Sequence, residues 1–108
     1  MISASFDKLK PPPTERVRLL NRNSSKYLAV SGGDTRDGAN VLIWENLLQK
    51  DIEWFLEPQG NDRYKIRNAN SGKYLAVAGA ARENGGNVLQ WEDKNQQDII
   101  WCLNYLKK

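Results

Sequence analysis

The chain carries four tryptophans that fall in two pairs at one spacing: Trp44 with Trp54, and Trp91 with Trp101, each member 47 residues from its counterpart. The residues around the first member of each pair also recur. Asn40, Glu45 and Asp51 flank Trp44, and Asn87, Glu92 and Asp98 flank Trp91. A flat ring beside carboxylates and an amide suits a ligand with one apolar face and a rim of hydroxyls. The ring packs on the face, a carboxylate accepts hydrogen bonds and an amide both donates and accepts. The same set suits catalysis poorly. Glycoside hydrolysis needs two carboxyl groups in unlike settings, whereas Glu45/Glu92 and Asp51/Asp98 occupy equivalent positions, as repeated binding or structural groups would. The absence of histidine excludes His triads, His metal sites and His pH switches. The single cysteine, Cys102, can form neither an internal disulfide nor a CxxC pair. The sequence shows no phosphate-cradling glycine loop and no metal-ligand cluster. No catalytic residue, cofactor or metal is expected.

Each candidate has a plainer reading. On a strand of period two, Trp44 shares a face with Leu42, and Trp91 with Leu89, while Val41 and Val88 face the other way. If the Trp face is solvated it is a binding surface; if covered, both rings are core. Asp51 and Asp98 either accept ligand hydroxyls or cap the backbone of a turn. Asn40 and Asn87, beside glycine or alanine, either set turn geometry or touch ligand. Glu45 and Glu92 are either acceptors or solvated strand-end charges. Tyr27 and Tyr74 read as core or interface, Trp54 and Trp101 as core, and Cys102 as a small buried hydrophobe.

These residues sit in a tandem duplication. Shifting the sequence by 47 residues aligns Arg16–Leu56 with Arg63–Leu103 without a gap, and 21 of 41 positions are identical. The segment from Asn23 to Val30 returns from Asn70 to Val77, and Gly38 to Glu45 returns from Gly85 to Glu92. A length of 108 residues supports one domain, read as two repeats at 14–60 and 61–106 behind an N-terminal arm or linker at 1–13. The net charge of +3 is confined to the ends, because Lys8, Lys10, Lys107 and Lys108 account for it. The body lacks the basic face of a nucleic-acid protein. No apolar run approaches the roughly 20 residues of a membrane-spanning helix, and no export signal is visible near Met1. A reducing compartment, or export by another route, fits the cysteine usage.

Each repeat reads as four short strands. Arg16–Leu19 and Arg63–Ile66 alternate polar and apolar residues. Strands then follow at Tyr27–Val30 and Tyr74–Val77, at Val41–Trp44 and Val88–Trp91, and at Trp54–Leu56 and Trp101–Leu103. Asp37-Gly38 and Asn84-Gly85 are hairpin-turn dipeptides, and residues 47–52 allow one short helical turn. Pro11-Pro12-Pro13 is extended chain that neither a helix nor a central strand accommodates.

The NSxKYLxV turn-strand, the GxNVxxW strand and the closing Trp strand, in order and twice over, resemble the ricin B-type β-trefoil lectin family in its disulfide-free branch. The resemblance covers roughly residues 14–106. It implies an all-β trefoil fold and non-catalytic carbohydrate binding. It places the stacking aromatic at Trp44 and Trp91 and the site's asparagine position at Asp51 and Asp98. At the family's carboxylate position stand Ala29 and Ala76, and at its glutamine position Leu42 and Leu89. The expectation is therefore a lectin-like module with degenerate sugar sites, contacting a glycan or glycoprotein through Trp44, Trp91, Asp51, Asp98, Asn40, Asn87, Glu45 and Glu92. The alternative is a protein-interaction or assembly module on the same scaffold. Two units where a trefoil closes with three leave exposed strand edges, so the fold is expected to be completed by oligomerisation, by the arm, or by a larger parent protein.

Overall fold

The computed structural model describes residues 12–104. The proposed arm falls almost wholly outside that range. Nine strands follow in order: β1 Arg16–Val17, β2 Leu20–Asn21, β3 Lys26–Val30, β4 Val41–Trp44, β5 Trp54–Gly60, β6 Arg63–Asn68, β7 Tyr74–Val77, β8 Val88–Trp91 and β9 Trp101–Cys102. The only helical pieces among the described residues are four 3-10 turns, at Ser31–Gly33, Lys50–Ile52, Ala78–Ala80 and Gln97–Ile99. The second and fourth bear out the short turn expected near residues 47–52, and both recur at the same place in each unit.

The duplication holds at the level of register. β1 pairs antiparallel with β5 through Arg16↔Phe55 and Val17↔Trp54, and β6 pairs with β9 through Arg63↔Cys102 and Tyr64↔Trp101. The hairpin β3–β4 aligns Tyr27 with Trp44, and β7–β8 aligns Tyr74 with Trp91. Asp37-Gly38 and Asn84-Gly85 do not form tight two-residue hairpins. They lie in ten-residue loops, and Gly38 and Gly85 supply φ of 90° and 87° there. The two units are joined by β5 and β6, antiparallel along their length across Asn61 and Asp62. Both turn residues have positive φ, which matches the strand twist of a tight hairpin.

Two sequence expectations change. The first strand of unit 1 is broken: β1 pairs with β5 and β2 with β3, whereas its counterpart β6 runs unbroken because β5 pairs it throughout. Cys102 is exposed rather than buried. Its counterpart Phe55 lies on a strand paired on both sides and is covered by the Arg67 guanidinium, 4.3 Å from the ring centroid, while β9 pairs only with β6.

The core lies between the units. Val30, Trp54 and Leu75 form its buried centre, with Val17, Leu28, Val41, Ile66, Val88 and Trp101 packed around it. Trp54 is fully buried and its Nε1 donates to the Leu28 carbonyl at 3.0 Å. Trp101 makes the equivalent bond to Leu75 at 2.9 Å but stays partly exposed, because nothing among the described residues covers its far side. The indole bond matters energetically, since a buried N–H without a partner costs about 1–3 kcal/mol.

Candidate functional site

Each unit builds one cleft from the same parts. Val41 turns into the core, so Leu42 and Trp44 share the outer face of β4; Val88, Leu89 and Trp91 repeat the arrangement on β8. Opposite the ring, the chain leaves β3 at Val30 and enters a turn whose Gly32 and Gly33 have φ of 62° and 63°. In unit 2 the same turn holds Gly79 at 59° and Ala80 at 54°. The third wall is the next 3-10 turn, which brings in Asp51 or Asp98. The clefts measure about 380 Å³ in unit 1 and about 330 Å³ in unit 2. All nine lining positions of one correspond to those of the other at the repeat spacing.

The structure answers the alternatives left open for each residue. Trp44 is 51% exposed and Trp91 is partly exposed, so neither is a core ring. Asp51 Oδ2 accepts the Val30 N–H, and Asp98 Oδ2 the Val77 N–H, both at 3.3 Å. Each aspartate thus ties the cleft floor with one oxygen while lining the cleft. Asn40 and Asn87 do not line the clefts. Asn87 Nδ2 donates to Asn40 Oδ1 at 2.7 Å, a bond between the units. The side chains of Glu45 and Glu92 lie outside as well; Glu92 Oε2 sits 3.4 Å from Lys94 Nζ. Tyr27 and Tyr74 are partly buried, and Tyr74 donates to Glu57 Oε1 at 2.9 Å. Burial, reinforced by that carboxylate, pushes the Tyr74 hydroxyl up to about 12.

The sequence reading passed over several residues that shape the site. Gln49 Oε1 accepts the Leu47 N–H at 2.7 Å and its Nε2 donates to the Glu45 carbonyl at 3.1 Å, pinning the rim loop beside Trp44. Gln96 does the same for Lys94 and Glu92. Their identity at equivalent positions was the available signal. Gln90, which replaces Ile43, left none. It is fully buried, and its Nε2 donates to the carbonyls of Asp34 and Arg36, both at 2.9 Å, while Oε1 accepts from Ser71 Oγ at 2.7 Å. It clamps the unit 1 loop onto β8 behind Trp91. The loop is braced by a bidentate Arg36–Asp34 contact, which holds the Asp34 carboxyl down at about 2.

A comparison with curated proteins gives no match. The model of a ricin-type beta-trefoil lectin domain-like family matches residues 6–91. Among solved structures, the chain is similar to the designed 3-fold symmetric protein ThreeFoil at 32% identity and a TM-score of 0.82, covering 86% of this chain and 66% of that one. It is similar to 1,3Gal43A, an exo-beta-1,3-galactanase from Clostridium thermocellum, at 29% identity and a TM-score of 0.83, covering 88% of this chain and 21% of that one. A Polyporus squamosus lectin shares the fold at 18% identity and a TM-score of 0.70, over 84% of this chain and 32% of that one. The chain therefore spans about two thirds of the first of these proteins and smaller shares of the others. Its all-β architecture, repeated register and family match agree: the chain belongs to the ricin-type beta-trefoil lectin domain-like family.

Proposed function

We propose that the chain is a non-catalytic carbohydrate-binding module with two sites, one per unit, in which Trp44 and Trp91 stack on the apolar face of a sugar ring. Asp51 and Asp98 accept hydroxyl hydrogen bonds across the cleft. The observation that carries this reading is the correspondence of the two clefts: an exposed ring and a carboxylate face each other twice, at all nine lining positions. The reading draws further support from the lectin family and from a similar fold in a lectin bound to the epitope Neu5Aca2-6Galb1-4GlcNAc.

The polar grip is reduced. Ala29 and Ala76 are fully buried and offer the cleft no acceptor, and Leu42 and Leu89 line it as hydrocarbon. Asp51 and Asp98 are then the main fixed acceptors, each with one oxygen already engaged. Single-site affinity is expected to be weak, with avidity across the two sites. A glycan array followed by titration calorimetry tests this. Hits that Trp44→Ala and Trp91→Ala together abolish are the expected result; a clean array with folded protein rejects it.

A second reading rests on one feature of unit 1. Ile43, Trp44, Leu47 and Leu48 are 44%, 51%, 62% and 75% exposed, an apolar cluster that unit 2 lacks. Such a cluster fits docking of a polypeptide. A partner that competes with sugar at Trp44 but not at Trp91 would identify it.

A further inference from the structure

The bonds that join the two units have their matching halves on the molecule's outer faces. At the junction, Asn68 Nδ2 donates to the Asp51 carbonyl at 3.0 Å and Asn70 Nδ2 to the Gly33 carbonyl at 3.1 Å. Lys73 Nζ lies 3.3 Å from Asp37 Oδ1. The Gly38 N–H donates to the Gln90 carbonyl at 2.8 Å. Moved back one repeat, the donors are Asn21, Asn23 and Lys26, unchanged in type and standing exposed on unit 1. Moved forward one repeat, the groups they would meet are the carbonyls of Asp98 and Ala80 on unit 2, beside Gly85 with the same positive φ as Gly38. Asn68 is fully buried by its partner unit, whereas Asn21 is exposed.

The barrel wall tells the same story. Its strands run β1–β5–β6–β9, and among the described residues β1 pairs only with β5 and β9 only with β6. Beside β1 lies an open cavity of about 510 Å³ between Arg16, Leu20 and Tyr27. Beside β9 lies another of about 520 Å³, walled by Ala81, Ile100 and the free side of Trp101. Each unit supplies two strands to this wall. One more unit would supply two and keep every neighbour antiparallel. The gap is one unit wide, since the chain covers 66% of a 3-fold symmetric protein at a TM-score of 0.82. An intact second copy is two units wide. It could enter only by parting the β5–β6 hairpin that joins its own units.

We propose that the gap between β9 and β1 seats a single trefoil unit carried by another polypeptide. That unit presents a carboxylate to Lys26, as Asp37 does to Lys73, and an asparagine side-chain donor to the Ala80 carbonyl, as Asn70 does to Gly33. Its edge strands add to β1 and β9 by main-chain pairing, and its apolar residues cover Trp101, Leu20 and Ile43. The contact is heterologous, with different patches meeting on either side, and it closes because three units complete the ring.

A synthetic peptide of residues 14–60 carries both required faces, with Asp37 for Lys26 and Asn23 for Ala80, and serves as the probe. Mixed with the full chain, it is expected to give a 1:1 complex by native mass spectrometry. Labelling of Cys102 by a thiol reagent should slow at least tenfold, and Trp101 emission should shift to the blue. Lys26→Glu in the full chain lies on the exposed face and leaves folding intact. It should weaken the complex at least tenfold, and Asp37→Lys in the peptide should restore it. No complex, or a complex in which Cys102 reacts at its free rate, overturns the proposal. So does a self-trimer of the full chain that excludes the peptide, because the missing unit would then come from exchanged copies.

Discussion

The two clefts share every lining position, yet they are held differently. Behind Trp91 lies the loop of the preceding unit: an added Cβ on Gly38 would stand 3.5 Å from Trp91 Cζ3, and Gln90 fastens that loop with two bonds. Behind Trp44 there is no preceding unit among the described residues, and Ile43, in the place of Gln90, is 44% exposed. The cleft contents differ too, with Lys94 in unit 2 where unit 1 has Leu47. The comparison teaches that a trefoil unit does not finish its own site. The ring comes from the unit, and the ring's rigidity comes from the neighbour.

The largest test of that statement exchanges the residues behind the rings. Gln90→Ile removes three hydrogen bonds from a buried position and loosens the loop clamp. It is expected to destabilise the fold by about 3 kcal/mol, since each lost partner leaves polar groups unpaired. Ile43→Gln, on the exposed side, is expected to change stability by less than about 0.5 kcal/mol. Chemical denaturation of both variants checks the pair. Equal effects would mean that the neighbouring unit contributes nothing to the site.

Next in size is sugar binding. Trp91→Ala is expected to lower affinity about tenfold more than Trp44→Ala, because a ring already held in place loses less freedom on binding. Titration calorimetry on the two single variants reads this directly. Lys94→Leu should leave neutral sugars unaffected and weaken acidic ones in a salt-dependent way, a change that Leu47→Lys should transplant to unit 1.

These asymmetries mark the limit of what the sequence discloses. The repeat, the strand positions and the pairing of Trp44 with Asp51 were legible, because each depends on local pattern that the duplication displays twice. Family positions also read correctly as scaffold: Ala29 and Ala76 are fully buried on their strands. Cys102 and Trp101 were read as buried because their counterparts Phe55 and Trp54 behave as core. Their exposure depends on a missing neighbour, which no local pattern encodes. Gln90 was silent for the same reason. A lone glutamine on a strand acquires its role only from the carbonyls of a loop more than 50 residues away.

The contrast extends to pH. Tyr74 is tied to Glu57 of the preceding unit, and its hydroxyl is raised from 10.0 to about 12 by burial first and by that carboxylate second. A group whose folded value is raised stabilises the fold fully below its unfolded value, and that contribution is lost as pH rises through the folded one. The stability it adds should therefore fade between pH 10 and about 12. Tyr74→Phe should flatten the alkaline limb of the unfolding curve. Tyr27→Phe, with no preceding unit to meet, should leave it unchanged.

The smallest expected effect lies in the cleft floor. Ala80 has φ of 54°, in the left-handed region, where its counterpart Gly33 sits at 63° without a side chain. A left-handed alanine carries about 1 kcal/mol of strain, and glycine none. Against this, glycine adds unfolded-state entropy worth about 0.5–1 kcal/mol. Ala80→Gly should therefore change stability by less than about 0.5 kcal/mol, while removing a methyl from the tighter cleft. Gly33→Ala has the reverse geometry. Its new Cβ would lie 3.7 Å from Asp51 Oδ1, an ordinary contact, so strain alone sets the outcome. Strain and entropy again nearly cancel in stability. The discriminating readout is the ligand: a bulkier sugar should gain affinity at unit 2 with Ala80→Gly and lose it at unit 1 with Gly33→Ala. Unchanged affinity in both would show that the floor of the cleft does not reach the bound ring.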